Sequence, residues 1–310
     1  MFLSLFTLNA INIHMISYIF TRIFIESFRL IPFWMLYGIS DMARFLLFDI
    51  VGYRKKVIFS NLELAFPEKS KPEIQAIAKK FYTHFTDVLL EGLKGMTMRD
   101  TDVYKRFKVL NPELADAYFQ KGQNVLILGA HYGNWEWGNS IPYYMQHDVV
   151  CVYKAVSNKR LNDYMRGNRA RLGMKQISME KTGTIFNNIS KPKFIILLAD
   201  QSPGILKNTI WVNFLGRDTP CIHGPEVYGK KFNYPTLYID FQRIKRGYYT
   251  AELSLIDENP ALLEKGVLTQ KYMGKLEQVI KAKPQDWLWT HKRWKHKREN
   301  DKILVDYYYK

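Results

Sequence analysis

His131 and Glu136 are the side chains of this chain best placed to move a proton. They stand five positions apart in Gly129-Ala-His-Tyr-Gly-Asn-Trp-Glu-Trp-Gly138, directly after the aliphatic run Val125-Leu-Ile-Leu128. Such a run before a Gly-rich break reads as a buried strand ending in a turn. Ligands of open α/β sheets bind beyond the carboxyl ends of their strands. A histidine held by a carboxylate takes a proton from a weak nucleophile near neutral pH. The spacing therefore suggests His131 as general base and Glu136 as the group on its other ring nitrogen. The alternative is a structural histidine satisfied by a backbone carbonyl. Asn134 is either an oxyanion donor from its side-chain amide or an ordinary helix N-cap. Asp200 ends a second buried strand at the same rim, as a site residue or as a helix N-cap.

These residues need elements to carry them. Val125–Ala130, Val149–Tyr153 and Phe194–Ala199 read as strands, and 236–244 with 248–256 as a hairpin around Lys245-Arg-Gly247. Asn134–Tyr144 reads as a helix that Pro142 bends or ends. From Glu73 to Gly95 apolar residues recur at helical spacing behind the start signal Ser70-Lys-Pro-Glu73. Residues 101–122 read as a further helical connection closed by Gly122. A basic helix spans 158–172, and another helix spans 265–281. Strands alternating with helices, without repeats or a low-complexity linker, indicate a single α/β domain.

The chain has 310 residues, 47% hydrophobic, with a formal net charge of +16. Acidic partners follow from that charge: nucleic acid, an anionic membrane surface or a phosphorylated lipid. Cys151 and Cys221 show no metal-type spacing and demand no disulfide. Met1–Thr21 carries no Lys, Arg, Asp or Glu, but Asn9, Asn12 and His14 dilute its apolar run. It reads as a span or an anchor rather than a cleaved signal peptide. Arg22, Arg29, Arg44, Arg54, Lys55 and Lys56 come after it, which places the body on the cytoplasmic side. Leu30–Val51 reads as an amphipathic interfacial helix; the bland alternative makes both segments core helices.

Several ordered motifs resemble the lysophospholipid acyltransferase-like family that includes the lipid A late acyltransferases. They are His131-x4-Glu136; Asn61-Leu-Glu-Leu-Ala-Phe-Pro67; Ala199-Asp-Gln201; Phe214-Leu-Gly216 through Thr219; and Pro284-Gln-Asp-Trp-Leu-Trp-Thr-His-Lys-Arg-Trp-Lys295. The resemblance runs from about residue 20 to residue 298. It implies a glycerolphosphate acyltransferase-like αβ domain over 57–310, behind an N-terminal membrane-anchoring or interfacial helical region over 1–56. It implies a catalytic dyad of His131 and Glu136, and importance for an arginine of the basic helix and for Asp200. Arg169 is the best positional match, with Arg166 and Arg171 as alternatives; an arginine there suits phosphate recognition, or is a solvated helix face. Asn134, Arg169 and Asp200 are thus the expected substrate-binding residues. The implied reaction moves a fatty acyl chain from acyl carrier protein, or from coenzyme A, to a hydroxyl of lipid A or its precursor. The hydroxyl attacks directly, without an acyl-enzyme or any cofactor. The implied place is the inner membrane, catalytic domain on the cytoplasmic side.

Two rivals accompany this reading. One acylates another amphiphile, an aminolipid or a lysophospholipid. The other is a membrane-tethered nucleic-acid-binding protein whose aromatic and cationic tail, Trp287 to Lys295, stacks on bases. In the first reading that same tail lies at headgroup depth. Other chemistries lose support: the chain holds no Gly-x-Gly, no Gly-x4-Gly-Lys-Ser/Thr loop, no Gly-x-Ser-x-Gly and no His-Glu-x-x-His.

Overall fold

A computed structural model describes residues 15, 17–153, 158–186, 191–207, 209–299 and 302–305. Most of the apolar run Met1–Thr21 lies outside them. A helix over 17–27 (α1) leads into α2 (Phe33–Phe45), α3 (Lys55–Ala65) and α4 (Lys71–Thr97). The start of α4 follows from its sequence signal, because the Glu73 carboxylate accepts from the Ser70 backbone N–H at 2.8 Å and from its hydroxyl at 2.6 Å. Its apolar stripe of Ile74, Ala78, Phe81, Tyr82 and Val88 is buried.

The expected helical connection over 101–122 is broken by a strand. Helix α5 (Asp100–Arg106) runs into β1 (Phe107–Val109), and α6 (Glu113–Phe119) comes next. Three residues are too few to show alternation, and β1 takes its partner from far along the chain. Then come β2 (Val125–Gly129), a 3-10 helix over Trp135–Tyr144, β3 (Asp148–Tyr153), α7 (Lys159–Ala170), β4 (Lys175–Ser178) and β5 (Lys193–Leu198). A hairpin of β6 (Ile210–Phe214) and β7 (Arg217–Cys221) is followed by α8 (Gly224–Phe232). The long hairpin β8 (Thr236–Lys245) and β9 (Tyr248–Asp257) precedes α9 (Val267–Ala282), and β10 (Leu304–Val305) closes the described chain.

Seven strands form one sheet in the order β1-β9-β8-β2-β5-β3-β4. Strands β8, β2, β5, β3 and β4 run parallel; β9 is antiparallel to β8, and β1 is parallel to β9. A second sheet pairs β10-β6-β7. The central strands are apolar throughout because both of their faces are covered. Leu126, Leu128, Ile195 and Leu197 point into one core with α3, α4 and α9, while Val125, Ile127, Phe194 and Ile196 point into another with α5 and α6. The fold is therefore mixed α/β, as its sequence suggests. Among the described residues, no helix is long and apolar enough to cross a membrane.

Candidate active site

Two neighbouring strand ends bring the candidate residues together. Gly129 of β2 is in register with Leu198 of β5. His131 and Asp200 lie two residues beyond these positions, so the two side chains meet over the carboxyl edge of the sheet. His131 Nδ1 stands 2.8 Å from Asp200 Oδ1. The carboxylate also accepts from the His131 backbone N–H at 3.1 Å and from Trp287 Nε1 at 2.9 Å. A buried, acceptor-only group so surrounded fixes the tautomer: Nδ1 carries the proton and Nε2 keeps its lone pair. The His131 side chain is 21% exposed while that of Asp200 is 2% exposed. The imidazole is thus partly open and the carboxylate beside it is sealed. Gln201 Nε2 lies 3.4 Å from His131 Nε2, and the Trp135 ring meets the imidazole edge-on at 5.2 Å.

The charges are set by the same contacts. Burial alone pulls the imidazole down, but the charge and hydrogen bond of Asp200, with the charge of Glu136, leave it above the ordinary value. Burial pushes Asp200 up, yet His131, Trp287 and the backbone amide hold it below the usual carboxylate range.

Glu136 does not occupy the position expected of it. The carboxylate on the histidine ring is Asp200, and Glu136 is taken by Arg169, whose Nη2 donates to its two oxygens at 3.0 and 3.2 Å. The cause is geometric. Glu136 lies in the first turn of the 3-10 helix, its side chain against Gly92 of α4 and facing α7. It reaches His131 through its field rather than a hydrogen bond. Asp200, expected to bind substrate, has both oxygens engaged inside the protein, by His131 and Trp287.

Asn134 resolves to the cap. Its Oδ1 accepts from the Trp137 N–H at 3.2 Å and its Nδ2 donates to Glu91 Oε2 at 2.8 Å. It is fully buried, and both ends of its amide are engaged within the fold. Of the three candidate arginines, Arg169 alone pairs with a site residue. Arg166 pairs with Asp163 on the surface, and Arg171 with Asp100.

The turn itself is clamped from several sides. Gly133 has φ +57°, and a Cβ there would stand 2.3 Å from the Phe241 carbonyl oxygen. Only glycine fits this position. The Gly133 carbonyl meets His84 Nε2 at 3.1 Å; burial and the charge of Arg243 push that imidazole down to about 3 and keep it neutral. The tail then closes over the turn. Leu288 N–H donates to the His131 carbonyl at 3.0 Å, and Gly133 N–H to that of Asp286 at 2.9 Å.

Much of the tail, expected to lie at headgroup depth or to stack on bases, is folded back into the protein. Trp287, Trp289 and Arg293 are buried. Asn61 Nδ2 donates to the carbonyls of Trp289 and His291 at 3.0 and 2.7 Å. Arg293 donates to Pro220 O at 2.8 Å, and Trp294 Nε1 to Thr219 Oγ1 at 2.8 Å. His291 Nε2 accepts from the Ser202 N–H at 2.7 Å, as a ring pushed down to about 4, first by burial, does readily. The motif around Asn61, the loop through Thr219 and the tail are thus one bracket around Asp200. Trp287, Trp289, Arg293 and Trp294 serve packing and hydrogen bonding, while Lys292 and Lys295 stay exposed.

Sequence reasoning missed Glu91. It is fully buried in α4 and accepts from Tyr37 Oη at 2.9 Å, Asn134 Nδ2 at 2.8 Å and Tyr249 Oη at 2.7 Å. Its signal was present: His84, Asp87, Glu91 and Lys94 repeat at three- and four-residue steps, a polar stripe at helical spacing.

This arrangement agrees with what the chain matches. The family model of bacterial lipid A biosynthesis acyltransferases matches residues 9–296. The chain is similar to the lipid A biosynthesis palmitoleoyltransferase of Escherichia coli (strain K12), 22% identical over 258 residues, which cover 83% of this chain and 82% of the relative. It is similar to the lipid A biosynthesis lauroyltransferase of the same organism, 21% identical over 271 residues, 87% and 88% of the two chains. A lipid A biosynthesis acyltransferase of Shigella flexneri matches over 258 residues at 22% identity. The family match, which spans nearly the whole chain, makes this protein an acyltransferase of the bacterial lipid A biosynthesis acyltransferase family.

Proposed function

We propose that this protein transfers a fatty acyl chain from an acyl thioester, carried by acyl carrier protein or coenzyme A, to a hydroxyl of lipid A or its precursor. The observation that carries the reading is the partly exposed imidazole of His131, with Nδ1–H held by Asp200 at 2.8 Å. Nε2 takes the proton of the acceptor hydroxyl as its oxygen attacks the thioester carbonyl. The tetrahedral oxyanion collapses, the carbon–sulfur bond breaks, and the imidazolium returns the proton to the leaving thiolate. Asp200 orients the ring and stabilises its charged form. Glu136 contributes negative charge on the far side of the site and holds Arg169, the cation that meets an anionic part of the substrate. A positioned base of this kind supplies about 10²–10⁴-fold.

Residues 1–56 serve as the membrane-facing part and 57–310 carry the chemistry, on the cytoplasmic side of the inner membrane. Support comes from the N-terminal helices, which leave Phe20, Ile23, Phe24, Leu30, Trp34 and Ile50 exposed. A run of apolar side chains on one part of the surface is characteristic of a membrane contact.

Two measurements test this. Purified His131→Ala protein should lose transfer by at least about 10²-fold while its fold is kept; wild-type rates would end the proposal. Mass spectrometry of lipids from cells with and without the gene should show one acyl chain missing from lipid A. An intact lipid A with a change in another lipid would move the acceptor to a different amphiphile.

A further inference from the structure

Past Arg169 lies a basic groove that no step of the acyl transfer uses. Its volume is about 780 Å³, and Arg29, Lys94, Arg99, Arg106 and Arg171 line it with Asp102, the one carboxylate among its described lining residues. That volume falls in the range of small-molecule sites. Met96 and Asn168 belong both to this groove and to the small cleft that holds Glu136 and Arg169, so the two are continuous.

The cations differ in what they still offer. Lys94 is spent, donating to the carbonyls of Phe28, Arg29 and Ile31 at 2.7, 3.1 and 2.8 Å. Arg106 is held flat, 3.5 Å from the ring centre of Phe33 and 4.7 Å from that of Tyr248, with one hydrogen bond at 3.2 Å to Gly247 O. Stacking fixes the plane of its guanidinium and leaves the fork for a ligand. Arg29 carries a single surface pairing with Glu26 and is 66% exposed. Arg99 is paired with Asp102 at 3.0 Å and Arg171 with Asp100, yet the cations still act on one another. Arg171 is held below the ordinary guanidinium value by burial and then by Arg29, and Lys94 below the ordinary amine value by burial and, against Asp102, by Arg106. An anion in the groove relieves that repulsion.

The surroundings say where the anion comes from. Leu30 and Trp34, which flank this wall in sequence, are 84% and 74% exposed. A doubly charged group matched to the guanidinium groups of Arg29 and Arg106, beside side chains suited to headgroup depth, is a lipid phosphate. We propose that this groove binds the phosphate monoester of a membrane lipid whose tails remain in the bilayer, and so places the amphiphile's head beyond Arg169. That this lipid is the acyl acceptor rests on the acyl-transfer reading; the binding itself does not.

The test is vesicle binding by the full chain. Phosphatidylcholine vesicles carrying phosphatidic acid are compared with vesicles carrying phosphatidylserine at matched surface potential. The wild type should prefer the monoester by about tenfold, the equivalent of roughly 1.4 kcal/mol. Arg29→Gln, at an exposed position, should lose most of that preference. Arg106→Lys, which keeps the charge and removes the fork, should lose it while still binding phosphatidylserine. Retention of the preference in both variants, or an equal loss on both lipids, would overturn the site. Inorganic phosphate alone should show no saturable binding that Arg29→Gln removes; such binding would assign the groove to a free anion. A raised KM for an acyl-carrier-protein donor with an unchanged lipid preference would assign it to that acidic protein. His131→Ala should keep the lipid preference even though it stops transfer, which separates failure of this site from failure of the catalytic reading.

Discussion

A partly exposed imidazole and a buried carboxylate meet at the rim of the sheet. His131 is pulled down by burial and lifted further by Asp200 and Glu136, so its ionisation lies above the ordinary imidazole value. The neighbouring Glu91 behaves in the opposite sense. Its oxygens collect three donors, but burial outweighs them and raises the carboxyl from 4.5 to about 7. The unfolded chain therefore loses this proton before the folded one does. Stability from this group is present in full below pH 4.5 and declines as pH rises towards 7. The decline amounts to roughly 3 kcal/mol, because each tenfold change in proton affinity is worth about 1.4 kcal/mol. Urea unfolding of wild type and Glu91→Gln from pH 4.5 to 7 should show this slope in the wild type alone. Parallel slopes would mean that Glu91 titrates as an exposed carboxylate does.

Among the elements, the turn after β2 holds the tightest constraint. Gly133 combines a left-handed backbone with no room for a side chain. Gly133→Ala should destabilise the protein by about 2 kcal/mol or more, and a displacement near 1 Å at His131 costs about 10²-fold in rate. Denaturant midpoints and initial rates on the same preparation check both, and an unchanged rate would remove the turn from the mechanism. The sequence makes this turn legible because an aliphatic run meets a Gly-rich break there. Helices α4, α7 and α9, strands β2, β3 and β5 and the β8–β9 hairpin are legible for similar reasons of period and punctuation. The partner of His131 is not. Asp200 comes after β5, which lies beside β2 although β3 and β4 intervene in the chain, and spacing along the sequence does not report strand order. Glu136 is the nearer carboxylate in sequence, but not in space. The β6–β7 hairpin reads as a loop: its two-residue turn at Leu215 and Gly216 has φ +52° and +71°, and Pro220 in β7 argues against a strand except at an edge. Composition shows the tail as an aromatic and cationic segment, but not that its rings are buried.

At the scale of the molecule, apolar and basic surfaces stand together on the N-terminal side. A helix buried on one face through Leu36 and Ser40 alone leaves Trp34, Met42 and Phe45 outward. It is anchored by charge: Asp87 of α4 accepts from Ser40 Oγ at 2.6 Å and from Arg246 Nη2 at 2.7 Å, and Arg246 also binds Asp41 at 2.6 Å. The apolar face is therefore presented by a firmly held element. Leu30→Asp with Trp34→Asp should weaken binding to vesicles by at least tenfold, since each side chain buried in lipid contributes about 1.5–3 kcal/mol. Transfer to detergent-dispersed acceptor should persist. Sedimentation with vesicles in high salt checks this, because an apolar contact survives salt that screens a purely electrostatic one. Undiminished binding by the double variant would place the membrane contact elsewhere.

The pairing of His131 with Asp200 is tested most directly by the pH dependence of kcat/KM for acyl transfer, in the wild type and in Asp200→Asn. In the wild type, the rate should rise through an ionisation above the ordinary imidazole value of 6.5. In Asp200→Asn the ionisation should move to lower pH, because burial is then less opposed, and the limiting rate should fall by about 10²–10⁴-fold as the ring loses its fixed tautomer. An ionisation and limiting rate left unchanged by Asp200→Asn would contradict the account.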